Sequence, residues 1–369
     1  MEFAISKGDL VRELSLSQGV VEKKTTIPIL SNVLLEAGSD RITLTATDLE
    51  LGIRCACPAK VKKEGSGTIP ARKLLDYVRL LPDADLNVKF LENHWASITC
   101  GRSRTRIAGM SRESFPELPQ MPEVIAEIPV KLLAAMISRT AFAISLEESR
   151  FTLNGALLVL REDAATMVAT DGHRLAFVEA SSPAIGKPFR ALVPKKAMAE
   201  ISRLAEESGP ESKIRFAGDE NHLFFQFGER LLITRKLTGN FPDYERVLPK
   251  DNIHTAKLNR DEIRSAIERV SQFADERSRA IRVQFAAGEV KIFSSSVETG
   301  ESEESVPSEY GGPDMEIGFN ARYLLDFLGA TNQEQVAFEL KDQKSAGELR
   351  PVSDQAQDQY RYVVMPMRI

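Results

Sequence analysis

Apolar residues along this chain switch between a period of two and a period near 3.6, and the same switch occurs three times. Alternating runs at Phe3–Ser6, Ala126–Val130 and His254–Asn259 predict short strands. A helical spacing follows each. Leu133, Met136, Ile137 and Thr140 fall at i, i+3, i+4 and i+7, as do Ile263, Ala266, Ile267 and Val270. Alternation resumes at Ile42–Ala46, Leu157–Leu160 and Ala280–Phe285. A second helix is then marked by Leu74, Leu75 and Val78, by Met198, Ile201 and Leu204, and by Leu324, Leu325 and Leu328. Strands at Trp95–Thr99, Leu223–Phe227 and Val336–Leu340 close each round. Pro70 and Pro194 suit the first turn of their helices, where a missing N–H costs nothing, and Asn320 suits an N-cap.

The residues themselves recur with the pattern. Pro70-Ala71-Arg72, Pro194-Lys195-Lys196 and Asn320-Ala321-Arg322 open the second helices at steps of 124 and 126 residues. Asn32 recurs as Asn154, Thr47-Asp48 as Thr170-Asp171, and Phe115-Pro116-Glu117 as Phe241-Pro242-Asp243. A repeat this long is a domain and not a solenoid unit. The chain of 369 residues therefore reads as three tandem copies of one α+β domain, at 1–120, 126–249 and 250–369. Each copy packs two helices on antiparallel-rich sheets. Pro- and acid-rich linkers are expected near 113–125 and 240–256. A threefold copy without a unique chemical insert points to a scaffold built by geometry.

Composition supports ordinary globular cores, with 43% hydrophobic and 27% charged residues. The opening Met1-Glu2-Phe3 is unlike a signal peptide, and no apolar run approaches a membrane span, so neither a secretory nor a membrane protein is expected. Cys55 and Cys57 share one face of a strand, and with Cys100 they read as buried reduced thiols of a cytoplasmic protein. Net charge is −5 but unevenly spread. Residues 1–120 hold 17 Lys and Arg against 15 Asp and Glu, residues 121–249 hold 16 against 17, and residues 250–369 hold 15 against 21. Arg102, Arg104, Arg106 and Arg112 mark the first end; Glu298, Glu301, Glu303, Glu304 and Glu309 mark the last. Head-to-tail docking of two chains would use that asymmetry.

Enzyme signatures are missing. Gly186-Lys187 is followed by Pro188, which cannot open a phosphate-cradling helix, and Gly65-Ser66-Gly67 reads as a hairpin turn. The four histidines show no metal-ligand spacing, so neither metal nor cofactor is expected. Thr170-Asp171-Gly172-His173-Arg174-Leu175 invites a general acid–base reading. Its Thr-Asp pair recurs in the first copy, which favours a turn or binding surface. Arg72, Lys196 and Arg322 hold one position in the three second helices. A basic face on every copy of an acidic protein suits contact with phosphates rather than base reading.

Geometry bears on what such a face could surround. A domain of this size has a radius of gyration of roughly 14 Å and a diameter of about 35 Å. Three touching spheres of that size leave a hole of about 5 Å, whereas a duplex needs more than roughly 16 Å. Six leave about 35 Å, so two chains are the smallest closed assembly that could encircle DNA.

Ile27-Pro28-Ile29-Leu30, Thr47-Asp48-Leu49-Glu50, Ile69-Pro70-Ala71-Arg72-Lys73, Leu153-Asn154-Gly155, Thr170–Leu175, Phe241-Pro242-Asp243-Tyr244 and the ending Tyr362–Ile369 together resemble the β subunit of bacterial DNA polymerase III, the replicative sliding clamps. The resemblance runs the length of the chain. It implies a non-catalytic, ring-shaped head-to-tail homodimer that tethers the polymerase to double-stranded DNA, irrespective of sequence, after a clamp loader places it. It assigns DNA contact to Lys24, Arg72, Glu147, Arg150, Phe151, Thr152 and Lys196. A partner-peptide groove is implied at Leu153, Thr170, Gly172, His173, Arg174, Leu175, Pro242, Val247, Asn320, Tyr323, Val363, Met365, Pro366, Met367, Arg368 and Ile369. That groove would serve replicative and other polymerases, the clamp loader, ligase and mismatch-repair proteins. The dimer contact is implied at Arg102, Arg104 and Thr105 against Gln272, Phe273, Glu298, Glu301, Glu303 and Glu304. Residues Ser353–Gln359 are extra near the end. Two other readings stay open on residues alone: a hydrolase or transferase using Asp171 and His173, and a three-domain adaptor that never closes.

Overall fold

The computed structural model describes residues 1–21, 26–181, 188–209, 211–297, 300–353 and 358–368. Among them are six α-helices, two in each third: α1 (Lys7–Ser17), α2 (Ala71–Leu80), α3 (Val130–Thr140), α4 (Lys195–Glu206), α5 (Arg260–Val270) and α6 (Ala321–Ala330). The strand pairings are antiparallel. Contacts divide the chain into two compact units, one of residues 1–131 with 196–236, the other of 132–195 with 237–369.

The first unit holds a five-stranded and an eight-stranded sheet. Its main core gathers Phe3, Leu10, Leu14, Leu35, Leu74, Val78 and Ile98, the residues that keep the two periods. Ser6 caps α1 by accepting the Asp9 N–H at 3.1 Å. In the eight-stranded sheet, Arg230–Arg235 pairs with Leu51–Pro58, so the last strand of the second third extends a sheet of the first. A buried ion cluster lies beside that seam. Glu13, 3% exposed, takes two hydrogen bonds from Arg230 at 2.8 and 2.9 Å and one from Arg12 at 2.9 Å. Burial pushes the Glu13 carboxyl up, but those guanidiniums outweigh it and hold the carboxyl below its ordinary value. At the end of α1, Arg203 donates to the carbonyls of Ser15 (2.9 Å) and Leu16, in the last turn where carbonyls run short of helical partners; Ser15 also accepts the Gln18 N–H at 3.3 Å.

The second unit holds a twelve-stranded sheet, in which Asp358–Val364 pairs with Arg174–Ser181 in the same way. The two seams share one register. Ile233 faces Gly52 in the first unit and Val363 faces Leu175 in the second. Two further strands hold the corresponding places in their thirds. Ser103–Ala108 is the outermost strand of the five-stranded sheet. Gly300–Glu309 pairs along one side with Glu289–Ser296, and on its other side only at Ser308 and Glu309. Among the described residues, both expose a row of unpaired backbone groups.

Several expectations need correction. Gly65-Ser66-Gly67 is not a turn; it begins the strand Gly65–Pro70, and a Cβ on Gly67 would lie 2.2 Å from the Phe90 ring. Pro70 and Pro194 end strands, and the helices start one residue later. The first strand of the second third stops at Pro129, because Val130 already begins α3. Asn32 and Asn154 do not share a place: Asn32 faces Pro70, but Gly155, not Asn154, faces Pro194. The linker near 240–256 is not merely extended, since Phe241, Tyr244 and Leu248 are buried in a core cluster. Cys55, Cys57 and Cys100 are free and buried as expected. Burial first, then Glu13, pushes the Cys57 thiol up to about 12, so it stays protonated. Gly186-Lys187 lies outside the described residues. No helix of the described residues is long and apolar enough to cross a membrane.

Candidate functional site

The Thr170–Arg174 segment is a tight turn closed by its own side chains. Thr170 Oγ1 donates to the Arg174 carbonyl at 2.6 Å and accepts the Gly172 N–H at 3.1 Å. Asp171 Oδ1 accepts the N–H groups of His173 (2.9 Å) and Arg174 (3.1 Å). Gly172 has φ +90°, a conformation that glycine adopts without strain. The first third builds the same turn, with Thr47 on Leu51 and Leu49, and Asp48 on Glu50 and Leu51. Asp171 is therefore occupied in holding backbone, and the acid–base reading loses its base.

The two turns differ at one decisive place. Where the first has Leu51, the second has Arg174, which is only 8% exposed. Each of its guanidinium nitrogens is engaged: Nε to Asp171 at 3.0 Å, Nη1 to Asp326 on α6 at 2.5 Å, Nη2 to the Phe142 carbonyl at 2.6 Å. It also stacks over the Tyr323 ring at 4.3 Å. Tyr362, fully buried, donates to the Tyr323 carbonyl at 2.9 Å. Arg174 thus ties one wall, from the second third, to α6 of the last. Charge-assisted bonds of this kind make the wall rigid.

Beside it lies an apolar cluster of Leu153, Leu157, Val168, Leu175, Phe177, Leu192, Phe241, Tyr244, Leu248 and Val363, rimmed by half-buried Val159, Leu237, Val247 and Ala346. Pro242 is exposed at this rim. The chain end runs alongside, held by Met365 N–H to the His173 carbonyl (2.9 Å) and Met367 N–H to the Gly318 carbonyl (2.8 Å). Met365 is 38% exposed, Pro366 and Met367 half-buried, Arg368 and His173 exposed. Asn320 is committed to capping α6, accepting the Arg322 N–H at 3.0 Å and donating to the Ser278 carbonyl. Ile369 lies outside the described residues. An apolar floor with adaptable Met side chains beside it and a hydrogen-bonded polar wall can hold a short peptide.

The candidate DNA-contact residues separate into two sorts. Arg72 projects from α2 with only a loose ion pair to Asp76 at 3.9 Å, and Phe151 is 71% exposed. Lys196 is instead paired with Asp48 of the first-third turn, and Arg150 with Glu147 at 2.8 Å. Thr152 is half-buried and Glu147 exposed; Lys24 lies outside the described residues. Among the dimer candidates, Arg102, Arg104, Glu301 and Glu303 are exposed. Thr105 and Phe273 are half-buried, Gln272 is exposed, and Glu304 is held by Arg269 at 2.5 Å. Glu298 lies outside the described residues. Sequence reading missed Asp326, Phe142 and Ala346, which touch the groove only through long-range folding. From the dimer contact it also left out Arg106, named only among the basic residues of the first end, and Leu80, which is 86% exposed at the end of α2.

Three family models cover the chain: the N-terminal domain of the DNA polymerase III β subunit at residues 1–119, its central domain at 127–243 and its C-terminal domain at 245–368. The chain is 36% identical to a β sliding clamp of Pseudomonas putida, covering all of both chains. A crystal structure of the Pseudomonas aeruginosa sliding clamp bound to griselimycin superposes with a TM-score of 0.94 at 35% identity, over 100% of both chains. That of Bacillus subtilis superposes at 0.95 and 26% identity, over 100% of this chain and 99% of the other. With three copies of one α+β domain and a match along its whole length, the chain belongs to the DNA polymerase III β subunit family, the β sliding clamps.

Proposed function

We propose that two copies of this chain close head to tail around duplex DNA and hold polymerases there by topology, without catalysing a reaction. The observation that carries this is the pair of open strand edges. Both internal seams join corresponding strands in one register. Applying that register to Ser103–Ala108 and Gly300–Glu309 of a second copy puts Arg104 opposite Glu303, Arg106 opposite Glu301 and Thr105 opposite Ser302. Opposite charges at facing positions favour this pairing. Arg102, Gln272, Phe273, Glu298 and Glu304 flank the same contact. Leu80 corresponds to Leu204, which is buried in the first unit, and would be covered likewise.

On this reading the domain boundaries are 1–120, 126–249 and 250–369. Lys24, Arg72, Lys196 and the loop from Glu147 to Thr152 face DNA. The groove from Leu153 and Thr170–Leu175 through Pro242, Val247, Asn320 and Tyr323 to Val363–Ile369 takes peptides from polymerases, clamp loader, ligase and mismatch-repair proteins. The Pseudomonas aeruginosa relative, solved bound to griselimycin, supports a clamp of this fold that holds a ligand. Grip on phosphate is kept weak and salt-screened, so that sliding persists.

The test is retention. Loaded on nicked circular DNA, the protein stays bound through gel filtration in moderate salt; a single cut that linearises the circle releases it. Retention on linear DNA with free ends would overturn the topological account. Register is tested by paired cysteines. Thr105→Cys with Ser302→Cys should oxidise to a covalent dimer, since facing Cα atoms of antiparallel strands lie about 4.5–5.5 Å apart, within disulfide reach. Thr105→Cys with Glu303→Cys, whose side chains point to opposite faces, should not.

A further inference from the structure

Arg150 belongs by sequence to the loop that the proposed function turns toward DNA, yet its guanidinium lies on the peptide groove. Nη1 donates to the Asp171 carbonyl at 2.8 Å, inside the turn whose other polar groups shape the groove wall. Nε is paired with Glu147 at 2.8 Å. Gly172 gives it room: a Cβ there would sit 2.9 Å from Nη1. The loop backbone is also tied to the groove floor, through Leu153 N–H to the Arg150 carbonyl (2.8 Å) and Ser145 N–H to the Leu153 carbonyl (3.0 Å).

A guanidinium grips phosphate best through two adjacent donors, either Nε with Nη2 or Nη1 with Nη2. In this structure each fork contains a nitrogen already in use, Nε in the ion pair with Glu147 and Nη1 on the Asp171 carbonyl. A bidentate phosphate contact through Nε and Nη2 therefore competes with Glu147, and one through Nη1 and Nη2 pulls against the bond that Nη1 makes to the Asp171 carbonyl. We propose that Arg150 couples the two sites: free of DNA it braces the groove turn, and on DNA it is drawn to phosphate and the brace is released. The inference rests on the assignment of loop and groove given above. Since coupling is reciprocal, a peptide in the groove holds Arg150 back from DNA to the same degree.

The experiment measures binding of a fluorescent peptide, copied from the groove-binding segment of the replicative polymerase, to the free protein and to protein loaded on nicked circular DNA. The expected Kd is weaker on DNA by about 5-fold or more, the lower end of ordinary site coupling. In Arg150→Gln, which keeps a polar side chain but cannot compete for phosphate as a cation, the two values coincide. Arg150→Lys retains a smaller difference. Equal affinity on and off DNA in the unaltered protein, or an undiminished difference in Arg150→Gln, overturns the coupling alone. Failure of the free protein to bind the peptide, or of the loaded protein to remain on circles, instead removes the groove or clamp reading and the coupling with it.

Discussion

Replacing Arg174 with Ala is expected to destabilise the second unit by about 3–5 kcal/mol, the usual effect of breaking a buried ion pair from one side. The side chain is nearly inaccessible and satisfies Asp171, Asp326 and the Phe142 carbonyl at once. Its removal leaves Asp171 and Asp326 without their shared cation and takes the support from beneath the Tyr323 ring. Peptide binding should fall by at least about 100-fold, because the groove wall loses the link between its two halves. Arg174→Lys should recover little, since one ammonium cannot reproduce three directed bonds. Hydrogen exchange localises the effect: amides of Arg174–Ser181 and Asp358–Val364 lose protection together. Unchanged protection there, with peptide binding intact, would mean that the wall does not depend on this residue.

The second large effect is expected in the other unit. Glu13→Ala leaves Arg230 with Glu207 as its remaining carboxylate and should cost about 3–5 kcal/mol. The dependence on pH follows from the depressed folded-state value of Glu13. A depressed carboxyl contributes stability that is present above its unfolded value, about 4.3, and that is lost as pH falls through the folded value. The unaltered protein should therefore lose stability as pH falls below the unfolded value, with a slope of at most about 1.4 kcal/mol per pH unit from this group, and Glu13→Gln should flatten that part of the curve. Trp95, the single tryptophan, lies in the same unit and reports its unfolding by fluorescence. A Glu13→Gln protein with an acid limb as steep as the parent's would refute the assignment.

Local chemistry was the legible part of this molecule. The strand His254–Asn259 matches its sequence reading at both ends, and Asn320 caps α6 as its residue type suggests. The Thr-Asp turn was recognisable because its hydrogen bonds span only a few residues. Gly65-Ser66-Gly67 misled because the need for glycine there is set by Phe90, a contact invisible to spacing. The same limit applies to the site. Arg174 was marked by resemblance, but Asp326, which fixes it, lies 152 residues away in the chain. Lys196 looked like a free cation until folding brought Asp48 to it from 148 residues away. Side-chain type announces what a residue can do; its partner decides whether it is available.

The two open edges also set what this chain can become in a crowded cell. An edge of alternating arginines repels another arginine edge, and a row of glutamates repels its own kind. Only unlike edges attract, so copies add in one direction, as links in a chain do. Such a series either grows without limit or bends back on its start. Closing after two leaves no edge for a third molecule, and the charge pattern that begins assembly is then spent in ending it.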